Sequence, residues 1–245
     1  MKDKKISSAT PDHPVVSHEN WLAARTAFLA KEKEFTKLRD ELSRKRRQLP
    51  WEKVEKTYVF DGPRGKESLA DLFEGKSQLV VYHFMFSPEW SEGCPSCSFW
   101  ADNFNGIGVH LKHRDAAFVA ISRAPLSKLQ AYEKRMGWSF KWLSSGQNDF
   151  NYDYGASFRP EDTAKGNVVY NYKKDPKMNM ADREGMSVFS KDAKGQIFHT
   201  YSTYARGIDI LNGAYNWLDM VPKGRDEDSL EFTQAWVRRH DRYED

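Results

Sequence analysis

Cysteine is nearly absent from this 245-residue chain, which contains only Cys94 and Cys97. A single pair cannot form the set of disulfides that holds small secreted domains together, so the sequence predicts a cytoplasmic protein. The chain also lacks any apolar run of the roughly 20 residues that a membrane span requires. Its first residues contain no apolar stretch of the kind found in secretory signals. We therefore expect no membrane partner.

A strong net charge of either sign is missing as well. The 38 basic and 35 acidic residues leave a formal net charge of +3 over the whole chain. This charge is too weak to indicate a nucleic-acid-binding surface, so we expect no nucleic-acid partner. Aromatic residues, by contrast, make up 14% of the chain and charged residues 30%. This composition excludes a disordered chain and predicts a folded, water-soluble protein with a sizeable core.

The N-terminal part of the chain, residues 1–50, predicts a short arm followed by one long helix from about Ser17 to about Gln48. Large apolar side chains recur there every seven residues, and Pro50 ends the pattern. The recurring residues are Trp21, Phe28, Phe35, Leu42 and Leu49. Such a stripe predicts either packing against the helix's own domain or a contact in a homodimer.

Residues 51–225 alternate between strand and helix patterns and predict one central domain, followed by a tail over residues 226–245. A buried strand precedes the cysteines, a second apolar run follows them, and a hairpin comes later in the chain. After the hairpin, residues 208–221 predict a last helix. Before that hairpin, about residues 148–184 predict an insertion that either lines a pocket or forms an exposed flap. The expected fold class is α/β, with a central mixed sheet flanked by helices, a long N-terminal helix and an insertion before the last hairpin.

The two cysteines form a Cys-x-x-Cys motif at the predicted junction between a buried strand and a helix, which is expected to run to about His113. The N-terminus of a helix favours a thiolate, because its unpaired N–H groups and its dipole stabilise negative charge. Cys94 is therefore the predicted nucleophile, and Cys97, one turn later, is the predicted resolving thiol. Pro95 suits the first helical turn, where a missing N–H removes no intrahelical bond.

A zinc site is the main competing interpretation of the motif. His110 and His113 follow the cysteines at nearly the spacing of a zinc finger. The last gap is one residue too short, however, and the helix follows a buried strand rather than a small hairpin. We therefore predict no metal ion and no other cofactor. A further alternative is that the two cysteines have no chemical task.

Several motifs resemble known families. Residues 58–86 predict a strand, a turn and an apolar strand, and residues 118–145 predict a strand, a helix and a short strand. This order resembles that of thioredoxin-fold proteins of the peroxiredoxin type. More closely, "FSPEWSEGCPSCSFWADNFNG", the long helix and the terminal "WVRRHDRYED" resemble a bacterial thioredoxin-like family known as domain of unknown function 899. This resemblance spans nearly the whole chain and implies a thioredoxin-like fold. It implies no established substrate, because the family has no assigned activity.

The resemblance implies further site residues. Ser91 stands where peroxiredoxins have a threonine, although Pro88 lies one residue closer to the cysteine than in their motif. Met186 stands where thioredoxins have a cis-proline, so docking of an extended protein chain is not expected. Peroxiredoxins also use an arginine near the reactive cysteine, and Arg183 and Arg123 are both candidates for it.

Together these features predict a thiol–disulfide oxidoreductase or a thiol peroxidase. The expected substrate is a small oxidant or small disulfide, and the expected electron donor is a thiol. Trp90, in the loop before the motif, is expected either to cover the reactive thiol or to pack in the core. The tail is expected to fold back near the site or to contact a partner. The alternative function is a thioredoxin-fold binding protein without redox activity.

Overall fold

The protein forms two compact units in the computed structural model, which describes residues 13–244. Residues 13–50 and Trp217–Asp226 belong to one unit, and Trp51–Asn216 and residues 227–244 to the other. The α-helices are α1 His18–Arg46, α2 Pro95–Ala101, α3 Ile107–His113, α4 Leu126–Met136, α5 Phe150–Asp153, α6 Pro160–Ala164 and α7 Gly213–Leu218. The strands are β1 Glu52–Lys53, β2 Val59–Gly62, β3 Gly65–Ser68, β4 Gln78–His83, β5 Ala116–Ser122, β6 Lys141–Ser144, β7 Val169–Tyr170, β8 Lys173–Lys174, β9 Gly185–Lys191 and β10 Ile197–Tyr204. Most of the predicted N-terminal arm lies outside the described residues.

Helix α1 is the predicted long N-terminal helix. Its N-cap is Ser17, whose side chain accepts a hydrogen bond from the Asn20 N–H at 3.3 Å. None of its residues is buried, and the recurring apolar side chains are exposed, with Phe28 at 60% and Phe35 at 65%. The homodimer contact through this stripe stays a prediction. No helix within residues 13–244 has the length and apolar character needed to cross a membrane.

An eight-stranded sheet forms the centre of the larger unit, in the order β1-β10-β9-β4-β5-β6-β2-β3. Strand β4 pairs in parallel with β5, and β5 in parallel with β6. On its other side β4 pairs with β9, which forms an antiparallel hairpin with β10. A central strand with a helix-connected parallel neighbour on one side and an antiparallel hairpin on the other is the thioredoxin-like arrangement. The predicted fold class is therefore confirmed, including the insertion before the last hairpin.

The two faces of the central sheet carry different cores, because successive side chains of a strand point to opposite faces. One face is rich in aliphatic side chains, among them Leu79, Val81 and Ile121, all of which are fully buried. The other face is aromatic. Tyr82 and Phe84 begin this aromatic cluster, with ring centroids 4.9 Å from Phe104 and 4.6 Å from Trp142, respectively. Tyr82 also borders the cysteines, so the aromatic core supports the motif.

Three segments differ from their predicted form. The single helix expected from the cysteines to His113 is two helices, α2 and α3, and Gly106 between them has a φ of +85°. The insertion is not a featureless loop, since it contains α5, α6 and a two-stranded sheet of β7 and β8. The predicted last helix begins as a 3-10 helix over Ala205–Leu211 and continues as α7. Local sequence patterns do not distinguish these short elements from a loop or a continuous helix.

Candidate active site

The loop after β4 brings Cys94 back against the strand it has just left. The Cys94 N–H donates a hydrogen bond to the Met85 carbonyl at 3.1 Å. Helix α2 then begins as the sequence predicts, with Cys94 as its N-cap and Pro95 in its first turn. Gly93 is buried, and a Cβ there would lie 2.8 Å from the Phe84 ring, so the close approach of this loop requires glycine.

The two thiols are free and lie in different surroundings. Cys94 is half-buried, whereas Cys97 is 1% exposed and its sulfur accepts a hydrogen bond from the Met85 N–H at 3.4 Å. A hydrogen bond from the Cys97 thiol lowers the pKa of Cys94, and the N–H groups of Cys97 and Ser96 act in the same direction. Burial raises the pKa of Cys97. The pair thus combines an accessible sulfur that ionises more readily with a buried sulfur that stays protonated.

Both cysteines line a cavity of about 560 Å³. This volume lies in the range of pockets that bind small organic molecules, about 300 to 1,000 Å³. Apolar side chains form much of its wall: Tyr82, Met85, Trp100, Met180, Ile208 and Phe232. The cavity therefore surrounds the reactive sulfur with apolar surface and leaves room for more than a solvent molecule.

Two acidic and two basic side chains also line the cavity. Arg206 pairs with Asp209 at 3.3 Å, and the Arg206 side chain is 87% exposed, which places this pair at the rim. Glu184 accepts a hydrogen bond from the Tyr170 hydroxyl at 3.1 Å. The negative charge of Glu184 raises the pKa of Cys94 and of Cys97. Glu184 therefore opposes the hydrogen bonds that favour the thiolate.

The two candidate arginines have different surroundings. Arg123 follows β5 and binds Asp182 through hydrogen bonds of 2.7 and 2.9 Å. It also donates to the hydroxyl groups of Ser87 and Tyr152, each at 3.2 Å. Arg183 lines the cavity together with the cysteines, and its Nε is buried without a hydrogen-bond acceptor among the described residues. Of the two candidate arginines, Arg183 is thus the one that lines the cavity.

The other residues singled out by the sequence lie outside the cavity lining. Ser91 is exposed in the loop before the motif. Trp90 is half-buried, and its carbonyl accepts a hydrogen bond from Lys128 Nζ at 3.0 Å. Met186 is half-buried in β9, opposite Tyr82. The structure therefore gathers Cys94, Cys97 and Arg183 around one cavity, and it does not bring Ser91, Trp90 or Met186 to its wall.

The two histidines of the competing zinc interpretation lie on α3. His110 and His113 are both exposed there, whereas Cys97 is buried in α2. Within residues 13–244, no group of three or more Cys, His, Asp or Glu side chains is arranged to hold a metal ion. The described residues therefore contain no candidate metal centre.

The C-terminal tail folds back onto the cysteine site. Glu227 anchors the start of the tail, since its carboxylate accepts hydrogen bonds from the Tyr215 hydroxyl at 2.7 Å and from the Trp236 indole at 2.6 Å. Phe232, Thr233 and Gln234 then line the cavity. Two roles were left open for the tail by the sequence, and the structure shows the first of them, a position beside the site.

A polar network connects the tail to both sides of the Cys94 peptide. Arg239 donates to the Gly93 carbonyl through Nη2 at 2.7 Å and through Nε at 3.2 Å. Its Nε also lies 2.9 Å from the Tyr132 hydroxyl, which bonds to Ser98 Oγ at 2.9 Å. Ser98 Oγ in turn donates to the Cys94 carbonyl at 2.8 Å. The network therefore holds the two peptide groups that flank the Cys94 Cα atom, one through the Gly93 carbonyl and one through the Cys94 carbonyl.

Sequence reasoning missed Glu184 and Tyr82 as parts of the cavity, and it left open whether the tail reaches the site. The position of Glu184 could have been inferred from the strand order. Glu184 directly precedes β9, and because β9 is antiparallel to β4, the start of β9 lies beside the end of β4, near the cysteines. Tyr82 had a similar signal, since it is the last residue but one of β4. The tail has no local pattern that indicates its position, because its contacts are with residues far away in the sequence.

No curated protein matches the sequence of this chain. Among solved structures, a mutant of Xanthomonas campestris peroxiredoxin Q is similar at 15% identity, covering 69% of this chain and 98% of that one with a TM-score of 0.47. Peroxidoxin BcpB from Mycobacterium tuberculosis is similar at 14% identity, covering 66% and 93% of the two chains with a TM-score of 0.45. A putative thiol:disulfide interchange protein DsbE from Chlorobium tepidum is similar at 12% identity, covering 69% and 94% with a TM-score of 0.39. The model of one family, described as bacterial protein of unknown function (DUF899), matches residues 10–243. Because this match covers nearly the whole sequence, the chain belongs to the DUF899 family.

Proposed function

We propose that this protein is a cytoplasmic thiol–disulfide oxidoreductase or thiol peroxidase that acts on small oxidants, with Cys94 as the nucleophile and Cys97 as the resolving thiol. One observation carries the proposal. A half-buried thiol at the N-terminus of α2 has its pKa lowered by a hydrogen bond from a buried thiol one turn later. A sulfur of this kind is a thiolate at lower pH than a free cysteine and is therefore a better nucleophile near neutral pH.

With a small disulfide RSSR, the Cys94 thiolate attacks one sulfur, forms a mixed disulfide and releases RS⁻. Cys97 then attacks the Cys94 sulfur, which closes the intramolecular disulfide and releases the second RS group with the Cys97 proton. Two electrons pass from the cysteine pair to the substrate. Two molecules of a thiol donor return these electrons by forming their own disulfide.

With a hydroperoxide ROOH, the Cys94 thiolate attacks the terminal oxygen and the O–O bond breaks. Cys94 becomes a sulfenic acid, and the alkoxide takes a proton and leaves as the alcohol. The Cys97 thiol condenses with the sulfenic acid, which forms the same intramolecular disulfide and releases water. Both reactions therefore end in one oxidised form of the protein, and the same thiol donor regenerates it.

Small substrates suit this site better than protein disulfides. The cysteines line a cavity that is bordered by the end of the insertion and by the tail. No cis peptide bond occurs within residues 13–244, and Met186 lies within β9. An extended protein chain thus has no cis-proline loop of the thioredoxin kind on which to dock. Thiol donors are available in the cytoplasm, where the cysteines would remain reduced between turnovers.

The first test is the pH dependence of alkylation of each cysteine by iodoacetamide, followed by mass spectrometry. At about pH 6.5, we expect Cys94 to react faster than free cysteine, whose pKa is about 8.5. Cys97 should react more slowly than Cys94. In the variant Cys97→Ala the hydrogen bond is lost, so the pKa of Cys94 should rise. A Cys94 that reacts no faster than a free thiol would reject the proposal and favour a binding protein without redox activity.

The second test is turnover with different oxidants. Cys94→Ser should abolish the reaction with peroxides and small disulfides. Cys97→Ser should leave a sulfenic acid that dimedone traps after peroxide treatment, or a stable mixed disulfide after treatment with a small disulfide. The assignment of small substrates would be wrong if the wild-type protein reduced insulin as readily as a thioredoxin does.

A further inference from the structure

The cavity beside the cysteines contains a cation that has no acidic partner within residues 13–244. Arg183 lines this cavity, and its Nε is buried with no hydrogen-bond acceptor within residues 13–244. Its guanidinium carbon lies 5.4 Å from the centre of the Tyr170 ring. A guanidinium group carries five N–H donors and no acceptor, and leaving a buried donor unbonded is unfavourable. Arg183 also has no carboxylate partner among residues 13–244, so an anion that binds its guanidinium from the cavity would supply the missing counter-charge.

The acid that precedes Arg183 in the sequence already has its own partners. Asp182 accepts two hydrogen bonds from Arg123, at 2.7 and 2.9 Å. The Ser157 hydroxyl donates to the same carboxylate at 2.6 Å. The Asp182 side chain is only 4% exposed, so these bonds are protected from water.

The acids that share the cavity with Arg183 are also engaged elsewhere. Glu184 accepts a hydrogen bond from the Tyr170 hydroxyl at 3.1 Å. Asp209 pairs with Arg206 at 3.3 Å, at the rim. An anion that enters the cavity thus finds in Arg183 a cation that no carboxylate of the described part of the chain has paired with.

The backbone around Arg183 is held in place before any ligand arrives. The Arg183 N–H donates to the Ala156 carbonyl at 2.9 Å, and the Phe158 N–H donates to the Ala181 carbonyl at 2.8 Å. The Glu184 carbonyl accepts a bond from the Tyr170 hydroxyl at 2.9 Å. A donor that is fixed in this way loses less conformational freedom on binding, which favours affinity.

The size and surface of the cavity indicate the rest of the ligand. A water molecule occupies about 30 Å³ of liquid, and hydrogen peroxide is not much larger. The cavity volume of about 560 Å³ is many times greater, and its wall includes Trp100, Met180 and Ile208. An organic molecule with an apolar part matches this space better than hydrogen peroxide does.

We propose that the cavity binds a small organic oxidant that carries a carboxylate, which Arg183 holds while the S–S or O–O bond of the oxidant meets Cys94. Arginine suits this role because its planar guanidinium donates two parallel hydrogen bonds to a carboxylate. The inference rests on the proposed function of the cysteines and adds the chemical class of the substrate.

The test compares acids with their neutral esters in single turnovers of the pre-reduced protein. Dithiodipropionate and its dimethyl ester probe disulfides, and linoleate hydroperoxide and its methyl ester probe peroxides. For the pair, disulfide or peroxide, that matches the natural substrate, the acid should oxidise the cysteines at least about tenfold faster than its ester. A ratio of this size is expected for a charge-assisted bidentate contact. In Arg183→Gln this ratio should fall to about one, and Arg183→Lys should retain part of it.

Arg114→Gln is the matched control, because Arg114 is exposed at the end of α3 and is not among the residues that line the cavity, so loss of the same charge there should keep the ratio high. A second measurement uses adipate, a dicarboxylate that cannot be reduced. Adipate should slow the alkylation of Cys94 in the wild-type protein and have no effect in Arg183→Gln.

The outcomes separate this inference from the proposed function. Equal rates for acid and ester in both arms, with active wild-type protein, would overturn the inference and leave the proposed function intact. An unchanged ratio in Arg183→Gln would also overturn it, because another group would then hold the carboxylate. Failure of all four oxidants to oxidise the cysteine pair would reject the proposed function itself.

Discussion

Two segments border the cavity, and they are anchored by different forces. The end of the insertion, residues 181–184, is held by backbone hydrogen bonds and by the ion pair of Arg123 with Asp182. The side chains of that pair are 13% and 4% exposed. This segment, which carries Arg183 and Glu184, is therefore attached through contacts that water does not reach.

The second segment, the C-terminal tail, is held by the hydrogen bonds of Glu227 and Arg239 and by ion pairs that are more exposed than that of Arg123 with Asp182. Arg239 pairs with Glu92 at 2.9 Å, and Arg135 pairs with Asp241 at 2.7 Å. The side chains of Glu92 and Asp241 are 30% and 32% exposed, respectively. Arg135 also contacts Glu92 directly. Water and salt therefore weaken the anchor of the tail far more than that of the insertion.

This difference in exposure indicates that residues 181–184 form the more rigid border of the cavity. A buried ion pair keeps its geometry because separating its two partners would leave each charge uncompensated away from water. Exposed ion pairs contribute little energy each, and salt screens them. We therefore expect the position of Arg183 to be constant and the position of the tail to respond to solution conditions.

The largest effect should come from breaking the buried pair. Asp182→Asn leaves the Arg123 charge without its partner and should lower the free energy of unfolding by about 3 to 5 kcal/mol. Urea denaturation measures this loss. Asp149→Asn is the control, since its pair with Arg159 is nearly half exposed at 43% and 46%, and this variant should lower the free energy of unfolding much less. Equal losses in the two variants would contradict the contrast between buried and exposed anchors.

Arg239→Met should have the next largest effect, because it removes the hydrogen bonds to the Gly93 carbonyl and the Tyr132 hydroxyl. We expect a loss of about 1 to 3 kcal/mol in the free energy of unfolding and a changed rate of Cys94 alkylation. The neighbouring Arg238 donates to carbonyl groups of the tail itself. Arg238→Met should therefore leave the rate of Cys94 alkylation as in the wild type, and an equal change in both variants would show that the effect is not specific to Arg239.

Of the two segments, only the tail should be destabilised by salt, and this effect should be smaller than that of either substitution. Raising the NaCl concentration from about 0.1 M to about 1 M shortens the screening length from about 10 Å to about 3 Å. Amide hydrogen exchange in residues 227–244 should become faster, by the equivalent of less than about 1 kcal/mol, because the exposed ion pairs are screened. Residues 181–184 should exchange at an unchanged rate. Faster exchange in both segments would remove the distinction between them.

The smallest effect concerns the charge on the rigid segment. Glu184 raises the pKa of Cys94, because a nearby negative charge disfavours the thiolate. Glu184→Gln should therefore lower the pKa of Cys94, and the pH profile of Cys94 alkylation should move to lower pH. Glu161→Gln, which changes an exposed carboxylate on α6, is the control and should leave the profile in place. A profile that stays in place or moves to higher pH in Glu184→Gln would contradict this electrostatic role.

Local patterns were enough to predict the element that carries the cysteines. Cys94 is the N-cap of α2, and Pro95 lies in its first turn, because these positions depend on residues within one helical turn. The order of apolar runs was also enough to predict an α/β protein, whereas the thioredoxin-like fold was implied by the family resemblance. The break at Gly106 was not predicted, because a glycine is compatible with both a weak helix and a turn, and packing decides between them.

The strand, the helix start and the candidate nucleophile follow from local sequence, because each of these depends on neighbouring residues. Which distant groups meet at Cys94 depends instead on the packing of the folded chain. Arg123 and Arg183 are equivalent cations in the sequence, but in the fold Asp182 neutralises the first and the second faces the cavity. Arg239 bonds to a carbonyl 146 residues away, and no periodicity within either segment specifies such a contact. Contacts over such separations depend on how the sheet and helices pack, which is a property of the whole chain.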